Sequence, residues 1–368
     1  MVATATVAAA EVKLSGYARF GAVWTEGAPA VAAKQGVHTA ASAAIAGAVA
    51  GAPVVDADST ALITALTNAQ AAAAVAAHNQ ASATALAAAN ALVAAIQAEI
   101  AASAGTAATA AVADSTDVAS RVRFQLDAST TTDAGIGLNV RQRIQTEENG
   151  TNDTNGARFG LTYNGLSLNV GNINGVIEST PKLYMNTNSA GVGLEGNGFH
   201  SLATNNAGGS WGWTAYSSGG AGATDGVEVI YSANGMRLHV SDTSTATAYG
   251  ASYAMGDMTV AFGYEDIDAG GSITLVTAGM NIGQGWAAIA HGINESAAGV
   301  DVSKTSLKGG YNVAAGMNVY GFVASEDAGD ASGVGMSMDL GGGASFDAGY
   351  TNTAASRGIL SAGVFFTF

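Results

Sequence analysis

Two glycine-rich motifs are the first places in the sequence where chemistry could occur. Gly191, Gly193 and Gly196 match the G-x-G-x-x-G pattern that cradles a dinucleotide pyrophosphate at a helix N-terminus. Ser210 lies in GGSWG, which matches the G-x-S-x-G nucleophile elbow. Both motifs need a preceding strand and a following helix, and neither has that setting here. Because the chain contains 50 glycines, such matches arise by chance, and no catalytic site is expected.

Neither a metal centre nor a thiol centre is indicated. The chain has no cysteine, which excludes thiol redox chemistry and disulfide bonds. Its histidines show no metal-ligand spacing. They are His38, His78, His200, His239 and His291. Loop carboxylates such as Asp327 and Asp330 could hold Ca²⁺ through oxygen ligands, although solvated acidic loops explain them more simply. We therefore expect no cofactor, with loop-bound Ca²⁺ as the alternative.

The elements that carry the charged residues alternate between apolar and polar positions. In EVKLSGYARFGAVW, Val12, Leu14 and Phe20 share one face, whereas Lys13 and Arg19 share the other. Alternation over about thirteen residues suits a tilted strand that spans a membrane. The pattern recurs in roughly fifteen later segments, the last of which is GILSAGVFFTF. About sixteen strands are therefore predicted, an even number, as in bacterial single-chain barrels.

The basic residues fall on the polar faces of these predicted strands. Of the 13 Lys and Arg residues, only Lys34 and Lys182 lie in inserted segments. The others are Lys13, Arg19, Arg121, Arg123, Arg141, Arg143, Arg158, Arg237, Lys304, Lys308 and Arg357. Charge facing lipid near the bilayer midplane costs about 2–4 kcal/mol, a penalty that a water-filled lumen removes. A soluble sheet would sort charges similarly, but a closed barrel needs no second apolar layer and leaves no unpaired backbone in lipid.

The composition of the chain fits the same architecture. Charged residues make up 11% of the chain, under half of the usual share of about 25%. The net charge of −15 argues against a nucleic-acid partner, which would need a basic surface. Mean hydropathy is only +0.24 and no run of 18 apolar residues occurs, so a membrane-spanning helix is not expected.

Turns of two kinds alternate along the chain. Asn164-Gly165 and Asn234-Gly235 are tight hairpin signals, whereas EENGTNDTNG, EDIDAGG and SEDAGDA read as longer polar connections. Short turns at one end and longer loops at the other are typical of an outer-membrane barrel. Four aromatic residues fit interfacial girdles, although core packing would also explain them. They are Trp24, Tyr163, Trp286 and Phe368.

Several segments resemble a known family. The opening EVKLSGYARFG, the arginines of RVRF and VRQR, the DLGGGASF hairpin and the aromatic C-terminal strand are similar to general diffusion porins of the α-proteobacterial, Rhodobacter-like type. The resemblance implies a trimeric outer-membrane barrel that passes ions and small hydrophilic solutes by passive diffusion. It also implies that Val364, Phe366 and Phe368 form a signal read by the barrel-assembly machinery. Outer-membrane lipid and two further copies are the partners expected.

The resemblance further implies that the third external loop folds inward and narrows the pore. Here this constriction loop corresponds to residues 173–225. The basic residues implied at the constriction are Arg19, Arg121, Arg123, Arg141, Arg143 and Arg158. The acidic residues are Glu178, Glu195, Asp225 and Glu228. The alternative for the arginines is that some of them only pair with carboxylates on neighbouring strands.

An alanine-rich insertion at residues 27–118 departs from the family pattern, in what should be the first external loop. Asp58-Ser59 opens a stretch without Gly or Pro that ends at Gly105, which predicts one helix of about 70 Å. A shorter helix is predicted at about residues 30–50. The insertion could be a plug, a stalk packing against other copies, or a low-complexity surface loop. If it is a spike, the second functional hypothesis is a surface interaction protein anchored by the barrel.

The first ten residues, MVATATVAAA, are typical of the end of an export signal. Ala8, Ala9 and Ala10 fit a signal-peptidase site before Glu11, although a flexible apolar N-terminus would read the same. The predicted organisation is thus a signal-peptide remnant at 1–10 and an exported outer-membrane barrel at 11–368. The predicted fold is an all-β transmembrane barrel of about 16 antiparallel strands, with a long Ala-rich α-helical insertion in its first external loop.

Overall fold

A computed structural model describes six main stretches of the chain. They are residues 10–30, 110–148, 152–185, 225–326, 329–352 and 358–368. Eight further residues are described between 68 and 94. The predicted export segment, the two glycine-rich motifs, Glu195, Arg357 and the shorter predicted helix lie outside the described residues.

The described residues form seventeen β-strands that close into one sheet. They are β1 (Glu11–Thr25), β2 (Ser115–Thr131), β3 (Gly137–Glu147), β4 (Asn152–Thr154), β5 (Arg158–Tyr163), β6 (Leu166–Gly171), β7 (Gly226–Ala233), β8 (Met236–Asp242), β9 (Ala246–Met255), β10 (Met258–Ile267), β11 (Gly271–Ile282), β12 (Gly285–Ser296), β13 (Asp301–Ala314), β14 (Met317–Glu326), β15 (Gly329–Gly341), β16 (Ala344–Asn352) and β17 (Gly358–Thr367). Every pairing is antiparallel, and β17 pairs back onto β1 to complete the ring.

The short strands β4 and β5 together take the place of a single strand in the barrel wall. β4 and β5 both pair with β3, one after the other along its length. Residues 155–157 separate them, and Gln142 from β3 donates its side-chain amide to the Asn155 carbonyl at this break. Counting β4 and β5 as one, the seventeen strands make sixteen, and the predicted sixteen-stranded antiparallel barrel is confirmed.

The alternation in sequence becomes an outer and an inner face. Val12 and Leu14 on β1 are each 65% exposed on the outside, whereas Arg19 on the same strand points inward and is 9% exposed. The same sorting continues around the barrel, with Phe159, Leu238 and other large apolar side chains exposed. An apolar exterior over a charged interior is the arrangement that a lipid-embedded barrel requires.

The tightest turns gather at the end of the barrel where β1 begins and β17 ends, which we call the terminal end. There Gly16 and Phe368 exchange two backbone hydrogen bonds of 2.9 and 3.1 Å. Asn164-Gly165 and Asn234-Gly235 both adopt positive φ angles, as a two-residue type I′ hairpin requires. At the opposite end, EDIDAGG and SEDAGDA are shorter connections than expected, because β10, β14 and β15 extend into them.

The insertion forms a separate unit, residues 27–113. Ala28 and Val112 form an antiparallel bridge near its two ends. β2 begins at Ser115, three residues before the predicted boundary. The eight described residues inside the unit have helical backbone. They are Asn68, Gln70, Ala71, Ala87, Asn90, Ala91, Val93 and Ala94. Most of the predicted long helix lies outside the described residues and stays a prediction.

The buried core lies inside the barrel, where the segment after β6 folds against the inner wall. We call residues 172–185 the inward segment; it contains the single-turn helix α1 (Gly175–Glu178). Val176, Ile177 and Leu183 pack there against inward side chains of β9, β11 and β12. Those wall residues are Ala248, Ile273, Leu275 and Ala290. No helix in the described part of the chain has the length and apolarity needed to cross a membrane.

Candidate functional site

Four inward arginines on β2 and β3 each face an acceptor on the neighbouring strand. The register places Arg121 opposite Glu147, Arg123 opposite Gln145, Gln125 opposite Arg143 and Asp127 opposite Arg141. Arg121 Nη2 lies 2.5 Å from Glu147 Oε1, and Arg141 Nε lies 2.7 Å from Asp127 Oδ1. Arg123 Nε and Arg143 Nε donate to the amide oxygens of Gln145 and Gln125, at 2.9 and 3.1 Å. Two of the four arginines are thus neutralised by carboxylates and two are held by neutral amides.

The remaining two predicted arginines extend this array sideways onto β1 and β5. Arg19 lies opposite Arg121 in the β1–β2 register, and Arg158 lies opposite Arg141 in the β3–β5 register. The Arg123 guanidinium also stacks over the Tyr17 ring, 5.4 Å from its centroid. The six predicted arginines therefore lie together on one side of the inner wall, on β1, β2, β3 and β5.

The three predicted acidic residues that the structure describes lie at separate places. Glu228 is 2% exposed, and its carboxylate is bonded to His239 Nε2 at 3.0 Å, Asn169 Nδ2 at 2.8 Å and the Gly175 backbone N–H at 3.1 Å. It therefore fixes the start of the inward segment to the wall. Glu178 ends α1 and interacts electrostatically with Arg143 on β3. Glu195 lies outside the described residues.

Asp225 sits at the rim, before β7, and its side chain is exposed. Ser244, in the β8–β9 connection, hydrogen-bonds to its carboxylate, and this bond lowers the pKa of Asp225. The Asp225 carboxylate is therefore hydrogen-bonded to the β8–β9 connection.

Further contacts, which sequence reasoning missed, fasten the inward segment along the wall. Ser241 Oγ accepts from the Val176 N–H at 3.1 Å, and Thr277 Oγ1 donates to the Pro181 carbonyl at 2.6 Å. The buried Lys308 Nζ donates to the Leu183 carbonyl. One signal was available: the inward positions of β11 include Ile273 and Leu275, which a purely water-filled lumen would not favour.

Small inward residues mark the path of the same segment. A Cβ atom at Gly250 would lie 2.7 Å from Val176 Cγ1, and one at Gly263 would lie 3.3 Å from Ile177 Cδ1. Glycine at these positions lets α1 approach the wall.

The assignment of Trp286 to an outer girdle was wrong. Its ring packs on the inside of the barrel, beside Met185, Tyr320 and Phe322, where the inward segment meets β14. A Cβ atom at Gly310 would lie 2.6 Å from Trp286 Nε1, so the indole lies over that glycine. Trp286 therefore belongs to an apolar cluster inside the barrel and does not face lipid.

The C-terminal residues complete the barrel seam. Val364 and Phe366 on β17 point outward, as does Phe368 directly after it. The Phe368 ring lies 5.5 Å from the Phe124 ring and 6.2 Å from the Phe366 ring. The assembly signal that the resemblance implies for these three residues stays a prediction.

The charged inner wall is reached by solvent. The side chains of Arg121 and Arg141 are 23% and 30% exposed although both point into the closed ring. Near the terminal end, a cavity of about 550 Å³ is lined mainly by polar side chains, among them Asn318, Ser337 and Asp339. Among the described residues no group of three His, Asp or Glu side chains could hold a metal ion.

The known proteins that resemble this chain are porins. No family model matches the chain. A porin of Fuscovulum blasticum is 28% identical over 137 residues, a match that covers 35% of this chain and 43% of that protein. The match thus spans less than half of the relative's length.

Solved structures extend the likeness to almost the whole chain. Two mutants of the Rh. blastica porin superimpose with TM-scores of 0.61 and 0.62, at 17% and 18% identity, over 97% of this chain and 100% of theirs. A triple mutant of the Rhodopseudomonas blastica porin gives 0.60 at 18% identity, with the same coverage. The chain therefore has the porin barrel fold, and about a third of its length is similar in sequence to a porin.

Proposed function

We propose that the chain is an outer-membrane porin that forms a water-filled pore for passive diffusion of ions and small hydrophilic solutes. The observation that carries the proposal is the solvent exposure of inward charges such as Arg121 and Arg141 inside a ring with an apolar exterior. A lumen that admits water to charged side chains also admits hydrated ions. The protein performs no covalent chemistry in this role.

The inward segment and the arginine array together would set the size and charge of the pore. Solutes pass between α1, which carries Glu178, and the wall that carries Arg121, Arg123, Arg141 and Arg143. Because two of these arginines, Arg123 and Arg143, have neutral partners, the wall side keeps a positive excess. Charged side chains lining a narrow pore bias which ions pass.

The cellular setting is part of the same proposal. An apolar exterior places the barrel in outer-membrane lipid, and export through a signal peptide and insertion by the barrel-assembly machinery would bring it there. Likeness to porins supports a homotrimer. The insertion would then be the first external loop, and Ca²⁺ bound by carboxylates of the external loops is the alternative to the expected absence of a cofactor.

Single-channel conductance in a planar bilayer tests the proposal. The intact protein is compared with a variant in which a short Gly-Ser linker joins Ala30 to Ala110. Conductance steps in groups of three from the intact protein support a trimeric porin with an accessory insertion. Conductance only from the shortened variant identifies the insertion as a plug. Silence from both, with folded barrels demonstrated by heat-dependent gel mobility, contradicts the porin function.

A further inference from the structure

A polar cavity lies inside the terminal end of the barrel, on the wall formed by β14, β15, β16 and β17. Its volume of about 550 Å³ falls within the range of about 300–1,000 Å³ that is typical of small-molecule sites. We call it the mouth cavity. Its lining includes Asn318, Ser337, Asp339, Ser345 and Phe365. Asp339 is the only charged side chain among the described residues that line it, so the mouth cavity carries negative charge.

The strand register brings the polar side chains of the mouth cavity together. Ser337 on β15 lies opposite Asn318 on β14. On its other side, Ser337 faces Asp347 of β16. Asp339, two residues later, faces Ser345 of the same strand. Directly opposed side chains of an antiparallel pair have Cβ atoms about 4.5–5.5 Å apart, so the Asp339 carboxylate lies beside the serine hydroxyls.

The buried Asp347 orients these two hydroxyls. Its side chain is 0% exposed. Ser345 Oγ donates to Asp347 Oδ2 at 2.6 Å, and Ser337 also hydrogen-bonds to this carboxylate. Because a hydroxyl has one proton and an ionised carboxylate only accepts, each serine uses its single donor on Asp347. Both serine oxygens are therefore acceptors towards the mouth cavity.

The carboxylates around the mouth cavity keep unused acceptor capacity. Asp339 Oδ1 accepts from the Gly341 N–H at 2.8 Å, whereas Oδ2 has no hydrogen bond or ion pair within the described part of the chain. Asp347 Oδ1 is buried and has no hydrogen-bond partner among the described residues. Two carboxylates thus contribute negative charge at one place on the wall.

Basic side chains do not balance this charge. Among the described residues that line the mouth cavity, none is Lys or Arg. Arg19 lies opposite Phe365 in the β1–β17 register. The carboxylates that act on Arg19 are Glu147 and Glu148, at the opposite end of the barrel. The negative charge of the mouth cavity is therefore available to a cationic solute.

The acceptor set indicates which cation fits. A primary ammonium group carries one positive charge and three N–H donors, and it has no acceptor. The Asp339 carboxylate and the Oγ atoms of Ser337 and Ser345 offer it opposite charge and three acceptors. Phe365, whose ring lies 5.5 Å from the Tyr17 ring, gives the carbon attached to the ammonium an apolar surface. A quaternary ammonium would leave these acceptors without donors.

We propose that the mouth cavity binds the primary ammonium group of a small organic solute, held by Asp339, Ser337 and Ser345. The site would retain amine-bearing solutes where the lumen opens at the terminal end. This transport consequence deepens, and rests on, the proposed diffusion function; binding itself needs only the folded barrel.

Saturation-transfer NMR on the purified, detergent-solubilised protein tests the site, with ethylammonium as the probe at neutral pH and constant ionic strength. We expect saturable binding. Tetramethylammonium has the same charge but no N–H donor, and it should bind about tenfold more weakly or worse. Asp339→Asn should weaken ethylammonium binding by about tenfold or more, because it removes a charge-assisted hydrogen bond while keeping an oxygen for the Gly341 N–H.

Two further variants complete the comparison. Ser337→Ala removes one acceptor and should also weaken binding, which keeps the site testable should Asp339→Asn fold poorly. Asp257→Asn is the matched control, because Asp257 is an exposed carboxylate in the β9–β10 turn at the same end of the barrel. It should change the affinity for ethylammonium by less than about twofold.

Four outcomes would overturn the site. They are the absence of saturable ethylammonium binding to the folded wild-type protein, equal affinity for tetramethylammonium, unchanged binding by folded Asp339→Asn and Ser337→Ala, and an equal loss in Asp257→Asn. The second and the last would mean that cations respond only to the net charge of the chain. Conductance separates this inference from the proposed function: a conducting protein that binds no ethylammonium refutes only the site, and a silent protein that binds it refutes only the pore.

Discussion

At the residue scale, Glu228 illustrates how one buried carboxylate can hold a long loop. Its two oxygens receive bonds from two wall residues, His239 and Asn169, and from the backbone of Gly175 at the start of α1. A carboxylate with three partners is well satisfied despite its burial. The residue predicted to supply charge to the constriction therefore also secures the segment that would form it.

Replacing Glu228 by alanine should release the start of the inward segment. Leaving the buried Gly175 N–H and its neighbours without an acceptor costs about 1–3 kcal/mol per group. We expect faster cleavage within residues 172–185 by protease under native conditions, and noisier open-channel current. Glu295→Ala is the control, since Glu295 is an exposed carboxylate bonded to Ser272 at the end of β12. Equal cleavage of the two variants would contradict the anchoring role.

Asp225 gives a pH-dependent prediction outside the membrane-spanning strands. The hydrogen bond from Ser244 lowers the pKa of Asp225 below its ordinary 3.8. A lowered folded-state pKa contributes stability above the unfolded pKa, and that stability fades as the pH falls through the folded pKa. In Ser244→Ala the pKa of Asp225 should rise towards 3.8, as measured by carbon NMR titration of its carboxyl in micelles. Ser272→Ala should leave this titration unchanged; an unaltered curve in Ser244→Ala would refute the assignment.

At the scale of elements, contact between α1 and the wall depends on glycines in β9 and β10. Gly250→Val should displace α1, because even the first side-chain atom would lie 2.7 Å from Val176 Cγ1, and Val176 is itself buried. We expect lower thermal stability and greater protease access to the inward segment. Ala251→Val adds bulk on the outer face of the same strand and should change neither property. If the two substitutions behave alike, the segment does not pack on Gly250.

The strands were predictable because a period of two is a local property of the sequence. Arg121 and Arg123 in RVRF, and Arg141 and Arg143 in VRQR, could be placed on the inner face from alternation alone. Their partners could not, because the opposition of Arg141 to Asp127 depends on the β2–β3 register.

The inward segment obeys no such local rule. Its position depends on contacts between residues far apart in sequence, such as Lys308 with Leu183. Trp286 was misassigned for the same reason: an aromatic near a turn fits a lipid girdle and an inner cluster equally well until the segment that covers it is known.

At the scale of the whole molecule, the barrel is complete only when its last strand reaches its first. Gly16 and Phe368, 352 positions apart, exchange backbone hydrogen bonds at that seam. Contacts of such separation carry the largest loop-closure cost and form slowly. Phe368 adds ring contacts with Phe124 and Phe366 at this seam.

Phe368→Ala should therefore lower the yield of folded barrel in cell membranes more than an equivalent change elsewhere. Phe262→Ala is the matched control, because it removes an exposed outer phenylalanine from β10, away from the seam between β17 and β1. Folded yield is measured by heat-dependent gel mobility, and stability by urea unfolding of the purified barrels. A yield defect confined to Phe368→Ala, with similar urea midpoints, would mean that the terminal aromatic acts during assembly. Equal yields would show that it contributes only apolar surface.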